Sequence, residues 1–258
     1  MRYRQVVTIA PIGAGLAGLV LFLAAGGSVL GAPPQPDGSV LQPYTNLWQV
    51  TVTKADGTAV PVASWSDVLT RVVVDGKPAY KRVQVARFES AKLTRTFGNV
   101  FAADTMLPIS STFSSTSGEA MLRRFDGPSV WQLDATGENQ LRPVESRAAA
   151  AAAPYDFNGG MYCLLVATYP LTAGLAYTIP AIGEFKTAAQ DVPVRVLGPT
   201  TIEGKPGTTV SVWQADATVV NGDGTADVMH CYVTRQPPYV IRLVYDTAAK
   251  QRFVYAMW

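Results

Sequence analysis

Charge is scarce in this chain. Only 16% of its 258 residues are Asp, Glu, Lys or Arg, against roughly 25% in an average soluble domain. Histidine is represented once and cysteine twice. Two Cys and one His cannot close a four-ligand zinc or iron–sulfur site, and one His is a thin basis for acid–base catalysis. The formal net charge is only +2, which excludes the strongly basic surface of a nucleic-acid binder. No Gly-x-Ser-x-Gly elbow and no Gly-rich phosphate loop occurs, so the motifs of a serine hydrolase or a nucleotide binder are missing. No cofactor is implied. What is abundant is apolar: 48% of residues are hydrophobic, and five Trp stand with 11 Tyr and nine Phe. That excludes a disordered chain.

The first thirty residues stand apart. Arg2 and Arg4 precede Val6–Leu30, a run without a single charge. A short positive head followed by an apolar run is the layout of a secretory signal. The run is also long enough to span a bilayer, although Pro11 and Gly13, Gly15, Gly18, Gly26 and Gly27 interrupt it. Residues 1–32 are therefore either a cleaved signal peptide or a retained N-terminal anchor, and any membrane contact is expected through them. Without Arg2 and Arg4 the basic count falls from 21 to 19, equal to the 19 acidic residues, so the rest of the chain has no net attraction for polyanions. Arg82 with Arg87, and Arg123 with Arg124, are the local basic clusters, expected to be solvated strand faces.

Pro33–Pro43 (PPQPDGSVLQP) reads as an extended proline-rich linker without a core of its own. From Tyr44 onward the dominant pattern is alternation. Trp48, Val50 and Val52 lie two apart, as do Val72 and Val74, and in 80–88 Val83 and Val85 oppose Arg82 and Gln84. Period two with β-branched and aromatic residues marks half-buried strands. Asp56-Gly57, Asp75-Gly76, Asp126-Gly127, Asn221-Gly222 and Asp223-Gly224 supply tight hairpin turns. Further strands are expected over 175–182, 191–198, 207–219, 227–235, 239–246 and 250–258. A change of parity from Val210 and Val212 to Trp213, Ala215 and Ala217 predicts a bulge near Trp213.

The middle departs from this rhythm. Ala148–Ala153 is a run of alanine ended by Pro154. Beyond it Met161, Leu164, Leu165 and Ala167 fit a helical stripe stopped by Pro170, with Asp156 or Asn158 as its cap. The spacing predicts a short buried helix over 158–168. The expected architecture is one β-rich domain over 44–258: a single curved antiparallel sheet or half-open barrel, with one or two short helices on its concave face.

Several constellations invite chemistry. In an exported chain an even cysteine count favours pairing; a helix laid on the sheet would bring Cys163 to Cys231, and the alternative is two separate buried thiols. His230 adjoins Cys231, but neighbours on a strand face opposite sides, so the two make a poor nucleophile pair. Asn221–Asp227 (NGDGTAD) resembles a calcium loop, yet aligning Gly224 at position six puts Val219 at one and His230 at twelve, where ligands are needed. It reads as a hairpin loop, and no metal site is expected. What remains is aromatic surface. Trp48, Trp131 and Trp213 are the candidate ligand-binding residues if the curved sheet lines a cavity; otherwise these aromatics are simply the core.

Asp156–Tyr177 contains the segment TYPL-x-x-G-x-x-Y, and 206–217 is matched by Tyr232–Tyr245 (YVTRQPPYVIRLVY). With Thr105-x-x-Pro108 and Phe125-Asp126-Gly127, these stretches resemble an uncharacterised exported bacterial family over about 67–257. That family is distantly similar to the periplasmic lipoprotein carriers and their outer-membrane receptor. The resemblance implies a half-open antiparallel barrel whose concave side is plugged by short helices, and a location in the periplasm or cell envelope. It also implies an apolar ligand, such as a lipid, an acyl chain or a lipidated peptide, rather than a catalytic activity. The other reading of the residues is a cell-envelope interaction or assembly module without a cavity.

Overall fold

The computed structural model describes residues 34–257 except 55, 136–143, 184, 185, 187, 205, 206 and 222. The signal or anchor read in residues 1–32 lies outside them. Alternation in the sequence becomes strands: β1 (Tyr44–Thr53), β2 (Ala59–Val74), β3 (Lys77–Phe88), β4 (Leu93–Ala102), β5 (Pro108–Ser115), β6 (Ala120–Asp126), β7 (Ser129–Ala135) and β8 (Val144–Ala149). After β9 (Tyr155–Asp156) and helix α1 (Met161–Thr168) come β10 (Ala176–Ile182), β11 (Gln190–Glu203), β12 (Thr209–Val220), β13 (Ala226–Val233), β14 (Val240–Asp246) and β15 (Arg252–Met257). Turn chemistry sets the hairpins. Val74 pairs with Lys77 across a two-residue turn in which Asp75 (φ 48°) and Gly76 (φ 76°) are both left-handed, the twist that a tight hairpin needs.

Among the described residues all fifteen strands form one sheet, in the order β8-β7-β6-β5-β4-β3-β2-β1-β15-β14-β13-β12-β11-β10-β9. Every neighbouring pair is antiparallel except β9 with β10, which run parallel. The first and last strands meet in the middle of the sheet, and β8 and β9 are its two edges. Laid flat, fifteen strands would put those edges about 65–70 Å apart. Only residues 150–154 join them, a link that reaches about 20 Å when fully extended. The sheet must therefore roll until its edges approach, and the half-open barrel follows from connectivity alone.

Two departures from the sequence reading are informative. From residue 34 on, the 33–43 segment read as a linker is docked on the domain: Asp37 caps a short 3-10 turn at Gly38–Val40, and Leu41 is fully buried in the core. Tyr239 Oη donates to the Val40 carbonyl and accepts from the Gln42 amide, while Tyr80 Oη donates to the Leu41 carbonyl. The bulge expected at Trp213 sits instead on the facing strand. Val196 pairs with Ala215 and Gly198 with Gln214, so Leu197 is the extra residue.

The helix begins at Met161, not 158, behind Gly160 in the left-handed region. It is apolar on every side, with all but Tyr162 buried, as expected of a helix enclosed by a sheet. The candidate caps are engaged elsewhere: Asp156 accepts from Asn99 and Arg123, and Asn158 donates to the Thr112 carbonyl. A disulfide between Cys163 and Cys231 ties α1 to β13. With its ends 68 positions apart in sequence, the closed loop lowers the entropy of the unfolded chain by the equivalent of about 4 kcal/mol.

Candidate functional site

The inner surface of the rolled sheet has two halves. On β10–β14 the buried residues are apolar: Ile179, Val192, Val194, Ala215, Met229, Val233 and Leu243 among them. On β2–β7 every strand also buries a polar residue: Asp67, Arg82 with Gln84, Asn99, Ser111, Arg123 and Gln132. Five of these lie directly opposite one another on adjacent strands. Arg82 faces Asn99, Asn99 faces Ser111, Ser111 faces Arg123 and Arg123 faces Gln132. This polar row overturns the reading of Arg82 and Arg123 as solvated; both are 0% exposed.

The row receives the chain segment that crosses the concave side. Arg123 Nη1 donates to Asp156 Oδ1 at 2.7 Å, Asn99 Nδ2 donates to Asp156 Oδ2 at 2.8 Å, and Arg123 Nη2 donates to the carbonyls of Gly183 and Lys186. Arg82 Nε and Nη2 grip Asp67 at 2.8 and 2.6 Å, and Tyr44 Oη donates to the same carboxylate at 3.2 Å. Burial opposes the charge on Arg82, but the Asp67 carboxylate outweighs it and holds the guanidinium above its ordinary pKa. Burial lifts Tyr44 well above the usual tyrosine range. At Asp156 burial wins over the attraction of Arg123, and the carboxyl lies above its ordinary value. Buried ion pairs of this kind fix geometry more than they add stability; here Arg123–Asp156 holds the crossing segment against the sheet, and Arg82–Asp67 ties β3 to β2.

Where the polar and apolar halves meet, the interior is left open. A cavity of about 290 Å³ lies against β1–β4 on one side and β12–β15 on the other. Its wall carries seven aromatic rings: Trp48, Trp65, Phe97, Phe157, Tyr162, Tyr245 and Tyr255. Met229, Leu243 and Val219 complete the apolar lining, and Gln84, Lys186, Gln190, Asn221 and Asp227 are its polar members. Trp65 stacks on Phe97 with centroids 5.4 Å apart and meets Tyr255 edge-on, so the wall is preorganised. Gly159 closes one side. A Cβ there would fall 2.6 Å from Gln84 Oε1 and 2.7 Å from Phe97 Cβ, a spacing that only glycine permits, and its φ of +68° requires the same residue. Towards solvent, Asp227 accepts hydrogen bonds from Tyr245 Oη at 2.6 Å and the Ala248 amide. Burial lifts Asp227, but those two bonds outweigh it and hold the carboxyl below its usual value.

Of the three tryptophans singled out in the sequence, the structure brings one to this cavity. Trp48 is buried in its wall, directly opposite Trp65 across β1 and β2. Trp131 points the other way, beneath the Arg124 guanidinium at 5.8 Å. Trp213 is half-buried against the edge of the core. Trp65, Phe97 and Gln84 were not among the candidates; the signal that finds them is pairing register, which places Trp65 opposite Trp48 and Gln84 opposite Phe97. His230 lies between Asp216 (2.7 Å) and Asp246 (3.3 Å), while Cys231 is in the disulfide. The Asn221 amide donates to the Thr225 carbonyl, and the Gly224 amide to the Asn221 carbonyl, between β12 and β13.

No family model matches the chain, and no curated protein matches it. Among solved structures it is similar to the crystal structure of a beta-barrel-like protein of domain of unknown function DUF1849 from Brucella abortus, with a TM-score of 0.54. That match covers 88% of this chain and 98% of the other at 9% identity. The chain therefore shares its fold with a β-barrel-like protein of an uncharacterised family.

Proposed function

We propose that this chain is an exported binding protein of the periplasm or cell envelope that holds an apolar ligand, such as a lipid or acyl chain, inside its rolled sheet. The observation that carries this reading is the aromatic-walled cavity of about 290 Å³. Ligand pockets are concave, mainly apolar and supplied with a few polar groups, from roughly 300 Å³ upward; this one sits at the lower end of that range. Enclosing an apolar ligand gains about 25 cal/mol per Å² removed from water. The same cavity weighs against an interaction module with a filled core, and the reading is one of binding rather than catalysis.

Export is supported by the layout of residues 1–32 and by the Cys163–Cys231 disulfide, a bond that persists in oxidising compartments. The likeness to lipoprotein carriers read from the sequence points to the same class of ligand.

The test is direct. Gently purified protein is extracted and analysed by mass spectrometry, and the delipidated protein is titrated by calorimetry with ethyl octanoate, a neutral acyl ester. Bound lipid and saturable uptake are the expected results. Val219→Trp, which fills the cavity from a half-buried position, is expected to abolish uptake while lowering stability by about 1–3 kcal/mol. Absence of both lipid and uptake in the unaltered protein would refute the reading.

A further inference from the structure

The cavity also says what kind of molecule suits it, an inference that rests on the cavity being the ligand site. Size comes first. A void of about 150 Å³ takes a benzene, so about 290 Å³ has room for roughly a dozen heavy atoms. That is one short chain or a substituted ring; a lipid with several acyl chains would reach well beyond it.

Polarity comes second. Among the buried polar atoms without a hydrogen-bond partner are Nε1 of Trp48, Nε1 of Trp65, and both Nε2 and Oε1 of Gln84. All three residues belong to the cavity wall, and Trp48 and Trp65 are cross-strand neighbours on one face. An indole N–H can only donate, and a buried donor left unpaired costs free energy that a suitable acceptor would return. Three of these four atoms are donors and one, Gln84 Oε1, is an acceptor, so unpaired donors are in excess.

Charge comes third. Arg82, two residues before Gln84, is committed to Asp67, and Asp227 already accepts from Tyr245 and Ala248. Lys186 is exposed, so its charge stays in water. Among the described residues no buried counter-ion awaits a charged ligand, and burying an unpaired charge is costly.

We propose that the cavity takes a neutral amphiphile of about a dozen heavy atoms, whose carbonyl-type oxygen accepts from the Trp48 and Trp65 indoles beside the Gln84 amide. The class includes amides and esters of medium-length apolar groups. Three probes of nearly equal shape separate the terms: butylbenzene, without an acceptor; 4-propylbenzamide, with a neutral one; and 4-propylbenzoate, with a charged one. Binding to the full chain is measured by calorimetry at pH 7.

The amide is expected to bind roughly tenfold more tightly than butylbenzene, and the benzoate more weakly than the amide. Trp48→Phe and Trp65→Phe are each expected to weaken the amide about three- to tenfold while leaving butylbenzene within about twofold, with circular dichroism and denaturant midpoints reporting the fold. Equal binding of amide and butylbenzene, tightest binding of the benzoate, or equal losses for both ligands in the Phe variants overturns the acceptor requirement and leaves the cavity as a ligand site. Failure of all three probes to bind removes the cavity reading itself, and this inference with it.

Discussion

Replacing Arg82 by methionine should be among the most damaging single changes available in this chain, although the replacement is apolar and of similar length. Arg82 and Asp67 are both fully buried, and the guanidinium meets both oxygens of the carboxylate. Removing the cation leaves Asp67 with one donor from a neighbouring side chain, the Tyr44 hydroxyl at 3.2 Å. Breaking a buried pair from one side costs about 3–5 kcal/mol, because the remaining charge is stranded in a dry interior. For a domain of this size that corresponds to a fall of roughly 6–20 °C in Tm. The companion variant, Arg82→Met with Asp67→Leu, removes both charges. It should recover most of the loss, to within about 1–2 kcal/mol of the parent, since an apolar replacement of a whole buried pair is often neutral or better. Urea unfolding at pH 7 with linear extrapolation measures all four corners of the cycle. A cost below about 1 kcal/mol for Arg82→Met would mean that the site is effectively solvated. A double variant no more stable than the worse single one would mean that the pair contributes net stability, contrary to the desolvation argument.

Two further predictions follow from the same interior. Asp156 has its folded pKa raised by burial, so the native chain holds that proton more tightly than the unfolded one. Its contribution to stability therefore declines as pH rises from about 4 through the raised value, and Asp156→Asn should abolish that decline in urea midpoints recorded between pH 4 and 7. Gly159→Ala combines a left-handed φ with clashes at 2.6 and 2.7 Å and should cost about 3 kcal/mol. Gly174→Ala, at φ +81° with nothing within 4 Å, should cost only the left-handed penalty of about 1–2 kcal/mol, and equal losses in the two variants would refute the close approach of Gly159 to the sheet.

Much of the fold could be read from residue order, and the reasons are local. Alternation over β1 and β3, the Asp75-Gly76 turn and the apolar stripe before Pro170 are short-range signals, and strands, hairpin and helix stand where those signals are. The cavity and the polar row were illegible because parity tells which residues share a face, not which face is inside. In β3 parity separated Val83 and Val85 from Arg82 and Gln84, and hydrophobicity would turn the valines inward. Instead the arginine and glutamine are buried, and the valines are half-buried on the other side. The partner that makes an inward arginine affordable, Asp67, is fifteen residues away on another strand, and the one for Arg123 is thirty-three away. Leu41 was missed for a related reason: the single apolar pair Val40-Leu41 among prolines is too short to show a period. Of the tryptophan candidates, Trp131 lies away from the cavity for the same reason, since Trp131 and Trp48 look alike in sequence while facing opposite sides of the sheet.

The location of the cavity follows from how the two halves of the interior are filled. The apolar half on β10–β14 is met by α1, which is apolar all round and held to β13 by the Cys163–Cys231 bond. The polar half on β3–β7 is met by the segment through Asp156 and Asn158, whose side chains and backbone answer the row from Arg82 to Gln132. Each filler suits its own wall and neither suits the junction, where Gln84 lies beside Phe97 and faces across to Leu243 and Tyr245. An apolar plug there would leave the Gln84 amide and the indole N–H groups unsatisfied, and a polar one would waste the aromatic surface. A molecule apolar along most of its length and polar at one end would meet both demands, as the ligand proposed above does.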